Sequence, residues 1–168
     1  MKCNCLLMLM LLGTFLSAQT TLVPDQAFEQ ALINAGIDNN GLNGNILNTD
    51  ALPVTSLHLE ALGISDLTGI EVFINLDSLF ASGNNLATAD VSAISQLHYL
   101  DLSFNQIAGI DLSQNTMLVN IILGGNALNT IDISNLNLLE HLNIGGNLLT
   151  SIDVIHNPLL KNLSVGEF

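Results

Sequence analysis

The sequence predicts an α/β-type solenoid, with short parallel strands stacked coil upon coil and a helix closing one end. Three periodic observations carry that expectation. Leu76, Leu97, Leu118, Leu139 and Leu160 recur every 21 residues, Asn84, Asn105, Asn126 and Asn147 recur in step, and so do Asp90, Asp111, Asp132 and Asp153. Within one period, Leu97-His98-Tyr99-Leu100-Asp101-Leu102-Ser103-Phe104-Asn105-Gln106-Ile107 places leucine at relative positions one, four and six, asparagine at nine and an aliphatic residue at eleven. That is leucine-rich repeat spacing. Each such repeat buries its apolar face only against its neighbours.

Three regions follow. Residues 1–18 read as a secretory signal peptide: Lys2 supplies the positive start, residues 6–16 are mainly apolar, and Leu16-Ser17-Ala18 ends on small residues. The apolar run is short for a membrane span and no second one follows, so no membrane insertion is expected after cleavage. Both cysteines, Cys3 and Cys5, fall in this leader, which leaves the mature chain without a thiol or disulfide. Residues 19–53 read as an N-terminal cap and residues 54–168 as the repeats, the last one incomplete.

Charge narrows the partners. Two Lys or Arg against 15 Asp or Glu give a net charge of −13, and Lys161 is the only such cation outside the leader. Nucleic acid and anionic membrane surfaces would be repelled, whereas basic partners and divalent cations would be attracted.

The cap begins with a helix. Ala27, Phe28, Ala31, Leu32 and Ala35 fall at helical spacing, Asp25 is placed as N-cap, and Gly36 is placed to stop the helix. A terminal coil has no outer neighbour, so its leucines need such a cover. The loop Asp38-Asn39-Asn40-Gly41-Leu42-Asn43-Gly44-Asn45-Ile46-Leu47-Asn48-Thr49-Asp50 resembles an EF-hand calcium loop lengthened by one residue. Asp38, Asn40, Asn43 and Asp50 stand at ligand positions, with Gly44 at the turn. Two departures favour a metal-free polar loop instead: Asn43 replaces a charged ligand, and Asp50 is shorter than the usual bidentate Glu.

Residues 54–75 form a first, irregular repeat, one residue longer than the rest, with Leu62 where later repeats have Asn. Val23-Pro24-Asp25, Gly36-Ile37-Asp38, the calcium-like loop, Leu57-His58-Leu59, Ile64-Ser65-Asp66-Leu67-Thr68-Gly69-Ile70 and units such as Ile110-Asp111-Leu112-Ser113 carry a family resemblance. The chain resembles the secreted leucine-rich repeat proteins of Bacteroidetes-type bacteria and, more distantly, internalin-like proteins. The resemblance implies a non-enzymatic binding protein, secreted or at the cell surface, with a periplasmic location as the variant.

Within one coil, Leu100-Asp101-Leu102 alternates inward and outward as a strand does. Equivalent strands are expected to centre on His58, Phe80, Asp101, Ile122, Asn143 and Ser164, giving about six short strands. The recurring asparagines are expected to form a structural ladder, their amides pairing backbone groups in the turns. Neighbours in the aspartate column would repel by about 0.9 kcal/mol at 4.8 Å in water. Local bonding of each Asp to its own turn accounts for the column better than a bound metal.

The outward strand residues form the candidate binding surface: Ser78, Phe80, Tyr99, Asp101, Asn120, Ile122, His141 and Asn143, with His98, Glu140 and Asn162 beside them. Phe80, Tyr99 and Ile122 are the best anchors for a protein or glycan ligand on the concave face. The competing reading is an ordinary solvated sheet face. His58, His98, His141 and His156 form no close pair for zinc and read as surface residues. No glycine-elbow serine, HxxxH pair, phosphate loop or free thiol is present, so catalysis and a required cofactor are not expected. The alternative function is structural: a spacer, or a fragment of a larger adhesin-like protein, self-associating through its open last coil.

Overall fold

The computed structural model describes residues 19–166; the expected signal peptide lies outside them. A parallel sheet of six three-residue strands runs in sequence order: β3 (Ser56–His58), β4 (Ser78–Phe80), β5 (Tyr99–Asp101), β6 (Asn120–Ile122), β7 (His141–Asn143) and β8 (Asn162–Ser164). Ahead of it, β1 (Thr20–Leu22) pairs antiparallel with β2 (Asn45–Leu47), and α1 (Gln26–Asn34) and α2 (Asn48–Ala51) flank that pair. The hairpin and α2 were not anticipated from the sequence. This is the β-solenoid of leucine-rich repeat proteins.

The register places Leu57, Leu79, Leu100, Ile121, Leu142 and Leu163 opposite one another. The first five are buried, so the inward row is one continuous apolar seam. Each such side chain contributes about 1.5–3 kcal/mol by leaving water. Leu163, on the strand with one neighbour, is 42% exposed. The strands sit one residue earlier than expected. They end on His58, Phe80, Asp101, Ile122, Asn143 and Ser164 rather than centring there. The reason is the turn: Asp101 already accepts from the backbone N–H and hydroxyl of Ser103, which bends the chain. Inter-coil backbone bonds nevertheless continue, as in Leu102 N to Ile122 O and Phe104 N to Gly124 O.

Each turn would bury backbone groups without partners, and the recurring asparagines supply them. Asn105 donates its amide to Ala81 O and Leu102 O, both at 3.0 Å, while its Oδ1 accepts from Leu86 N at 3.0 Å. Asn126 and Asn147 repeat this arrangement one and two coils on. Asn84 serves the irregular first coil, accepting from Leu62 N and Ile64 N. A second, sparser ladder on the return side had escaped notice in the sequence. Asn115 donates to Val91 O and Ile94 O, and Asn157 to Ile133 O and Leu136 O. In the 21-residue period these asparagines alternate with Ile94 and Leu136.

The N-terminal unit docks through one carboxylate. Asp25 caps α1 with Oδ1, accepting from Ala27 N and Phe28 N, and grips the first coil with Oδ2, accepting from Ser65 N, Ser65 Oγ and Asp66 N. Phe28 and Leu32 of α1 are fully buried in the shared core. Gly36, at φ +69°, ends the helix as expected, its N–H donating to Ile33 O. Gly69 is required by contact as well as by its φ of +106°: a Cβ there would lie 2.6 Å from Leu22 O and 2.7 Å from Val23 Cγ2.

Replacing Asn105 by Ala strands the buried Leu86 N–H, while Ala81 O and Leu102 O keep their bonds from Asn84 and Asn126, and should cost about 1–3 kcal/mol. Urea unfolding measures it, with exposed Gln106→Ala as a control expected to be near neutral.

Candidate functional site

Strand alternation sends two rows of side chains away from the core. One row runs Ser56, Ser78, Tyr99, Asn120, His141, Asn162, and the other His58, Phe80, Asp101, Ile122, Asn143, Ser164. The eight surface residues singled out in the sequence and Asn162 fall in these two rows, and so on one face, while His98 and Glu140 stand one residue ahead of their strands. The structure also brings in Ser56, His58 and Ser164.

Three rings stand in contact on this face. His58 stacks on Phe80 with centroids 4.5 Å apart and planes 5° from parallel, and Phe80 meets Tyr99 at 4.7 Å and 33°. Such pairs add about 0.5–1.5 kcal/mol beyond the area they bury. Partial burial first, then the charge of Asp101, raises the Tyr99 phenol above its ordinary pKa, so it stays protonated at neutral pH. Ser78 is turned aside to Asp77, and Asp101 is committed to Ser103. His98 Nδ1 lies 2.8 Å from Asp77 Oδ1.

Beyond Tyr99 lies an open cavity of about 310 Å³. Asn120, Ile122, His141, Asn143, Asn162 and Ser164 surround it, with the backbone of residues 121, 142 and 163 beneath. A second cavity, of about 350 Å³, lies away from this face beside the irregular coil. Its carboxylates are spent on their own turns: Asp66 on Thr68, Glu71 on Gly69 N and Asp90 on Ser92.

Phe104 is the residue that motif reading passed over. It is 72% exposed and adopts φ +54°, a left-handed conformation that costs a side chain with a Cβ roughly 1–2 kcal/mol. Gly83, Gly125 and Gly146 hold the corresponding turn positions with φ between +68° and +70°. The Phe104 ring rests on the next coil, where a Cβ on Gly125 would come within 2.8 Å of it. The repeat period itself could have exposed this residue, as the one aromatic in a glycine column.

The aspartate column bonds locally, as expected. Asp90 accepts from Ser92 N and Oγ, Asp111 from Ser113 N, Asp132 from Ser134 N and Asp153 from Ile155 N. Hydrogen bonds from these serines hold Asp90, Asp111 and Asp132 below the ordinary carboxylate pKa, the hydroxyl leading for Asp90 and the backbone N–H for the other two.

In the N-terminal loop, a residue outside the calcium-like pattern takes the centre. Glu29 of α1 is buried, and its Oε1 accepts from Asn43 N and Gly44 N at 2.6 Å and Asn45 N at 3.3 Å. Asp38 is 4% exposed; Oδ1 accepts from Asn40 N, while Oδ2 is buried without a partner. Burial, reinforced by the charges of Glu29 and Asp50, raises the Asp38 carboxyl above its ordinary pKa despite the Asn40 bond. Asn43 donates to Asn40 Oδ1, and Asp50 accepts from Asn39 at 3.4 Å.

No protein-family profile and no curated protein sequence matches the chain. Among solved structures, it is similar to a functional domain of InlJ from Listeria monocytogenes that includes a cysteine ladder, at 31% identity and TM-score 0.81, over 89% of this chain and 34% of that one. It is also similar to a leucine-rich repeat protein of Leptospira interrogans, at 28% identity and TM-score 0.56, over 58% of this chain and 27% of that one. The internalin InlF of Listeria monocytogenes shares the fold, at 18% identity and TM-score 0.65, over 84% of this chain and 49% of that one. The chain thus spans between about a quarter and a half of these structures. Its structural neighbours are internalin-type and other leucine-rich repeat proteins. Among the described residues, no helix is long and apolar enough to cross a membrane.

Asp90, Asp111 and Asp132 bind protons less readily folded than unfolded. Their contribution is complete above the unfolded pKa, about 3.9, and is lost as pH falls through the lower folded values. The thermal midpoint should therefore drop as pH falls below about 4. A triple Asp90→Asn, Asp111→Asn, Asp132→Asn variant should show a shallower drop in melts between those extremes.

Proposed function

We propose that this chain is a secreted or surface-exposed binding protein whose sheet face, the concave side of such a solenoid, takes a protein partner. The ring stack His58–Phe80–Tyr99 carries this reading. Grouped on a polar, water-facing sheet, with Phe80 and Tyr99 half-buried and His58 exposed, these rings match the anchors that dominate protein interfaces. The likeness to internalin-type structures supports a protein-binding role, and the leader-like residues 1–18 support export. Each column aspartate is engaged by its own turn, which supports binding rather than catalysis.

Phe104 extends the anchor set to the end of the sheet. An exposed aromatic held in a strained conformation is the kind of outlier that functional constraint maintains. The test is affinity capture with residues 19–168, comparing Phe80→Ala and Phe104→Gly with the parent. Both variants should lose the captured protein, and Phe104→Gly should melt higher than the parent. Capture unchanged by both substitutions would end this reading.

A calcium ion in the 38–50 loop is a second, separate reading. The buried Asp38 Oδ2 without a partner favours it, since an ionised carboxylate so placed needs a cation or a proton. Among the described residues no three acidic or imidazole side chains stand close enough to share one ion, so amide and backbone oxygens would complete the shell. Calcium should raise the thermal midpoint over that in EDTA. Asp38→Asn should abolish the rise and, at neutral pH without calcium, melt no lower than the parent. Equal parent midpoints with and without calcium would remove the ion.

A further inference from the structure

The 310 Å³ cavity beyond Tyr99 differs in chemistry from the rest of the chain. The sequence holds 15 carboxylates, yet none lines this cavity, and neither does Lys161. Its polar groups are amides, an imidazole, a hydroxyl and the phenol. A charged ligand would find no opposite charge here and would lose hydration without compensation.

Much of the polar capacity is uncommitted. The Asn120 amide makes no hydrogen bond within the described residues, and Asn143 uses only Oδ1, accepting from Gly145 N at 3.2 Å. Asn162 contacts His141 through Nδ2 at 2.7 Å, leaving its Oδ1 to accept. Amides pointing donors and acceptors into one space suit hydroxyl groups, each of which both donates and accepts. Tyr99 forms one wall, and its contact with Phe80 on the side away from the cavity props the ring upright. Ile122 supplies an apolar side chain, and the floor is the backbone of residues 121, 142 and 163, whose side chains belong to the inward row. An aromatic wall, an isoleucine side chain and neutral amides match a ligand with an apolar C–H face and an equatorial belt of hydroxyls.

We propose that this cavity is a binding site for a neutral saccharide, its ring stacked on Tyr99 and its hydroxyls bonded to Asn120, Asn143 and Asn162. The proposal rests on the sheet face being the binding face but not on the protein partner. Saccharide and partner can be separated, because Phe80 touches the ring stack and does not line the cavity.

Tyr99 is the only tyrosine and the chain has no tryptophan, so intrinsic fluorescence reports this wall alone. Residues 19–168 are titrated with neutral gluco-, manno-, galacto-, xylo- and N-acetylglucosamine oligosaccharides and with a uronic acid oligomer. At least one neutral saccharide should give a saturable change, with calorimetry agreeing, and the uronic acid oligomer should give none. Asn120→Ala should weaken binding about tenfold, the worth of one lost hydrogen bond or slightly more, with an unchanged melt. Ile122→Asp should abolish binding while still folding, since Asp101 holds the same row position one coil earlier. No saturable response from any neutral saccharide, or binding unaltered by both substitutions, would overturn the proposal. So would saturable binding of a cationic peptide with no saccharide response. Saccharide failure with Phe80-dependent protein capture intact would leave the protein reading standing, and the reverse would remove only that reading.

Discussion

Every coil must turn sharply after a three-residue strand, and that turn buries carbonyls and N–H groups which no strand neighbour reaches. The asparagine side chain meets this demand: its amide reaches carbonyls of its own coil and the one before, and its oxygen takes an N–H of the earlier coil. An orphaned buried group costs about 1–3 kcal/mol, so the amide ladder fixes both the turn and its register to the next coil. The leucine seam supplies most of the burial but is tolerant of sliding, because apolar contact has no direction. The directional bonds of Asn84, Asn105, Asn126 and Asn147 remove that freedom. The InlJ domain includes a cysteine ladder; here every cysteine lies in residues 1–18, and directional ladders are built from amides.

The first coil lacks a preceding coil to bond with, and the N-terminal unit takes that place. Asp25 stabilises the N-terminus of α1 and the backbone of residues 65 and 66 with one carboxylate. Partial burial alone would raise its pKa, but the bonds from Ser65, Phe28 and Asp66 outweigh this and hold it below the ordinary value. Helix and solenoid are therefore coupled through a group that remains ionised. Glu29 repeats the strategy on the other side of α1, gathering three consecutive N–H groups of the loop.

With the interior so constrained, variation is left to the outward rows. Those positions divide the face into two chemistries. The early strands carry rings in contact, and the later strands carry amides around an open cavity, with Tyr99 belonging to both. Phe104 departs from the glycine column at a cost in backbone conformation, in a chain that otherwise meets each left-handed turn of its regular coils with glycine. A structural requirement alone would select glycine there.

The spacing of Leu, Asn and Asp determined the coil, the inward row, the amide ladder and the membership of the two outward rows, because a fixed period places equivalent residues at equivalent points of each turn. Asp25 and Gly36 marked both ends of α1 for local reasons of capping. Other features depend on residues distant in sequence meeting in space. The grip of Asp25 on Ser65, the place of Glu29 inside the loop and the β1–β2 pair join segments between about 14 and 40 residues apart, and no periodicity connects them. His58 and Phe80 meet in direct register, but the contact of Phe80 with Tyr99 needed the diagonal offset between neighbouring strands, and the one-residue strand shift needed the Asp101–Ser103 bond. Sequence sets what each coil repeats; only packing decides what neighbouring coils bring together, because contact depends on side-chain direction as well as on register.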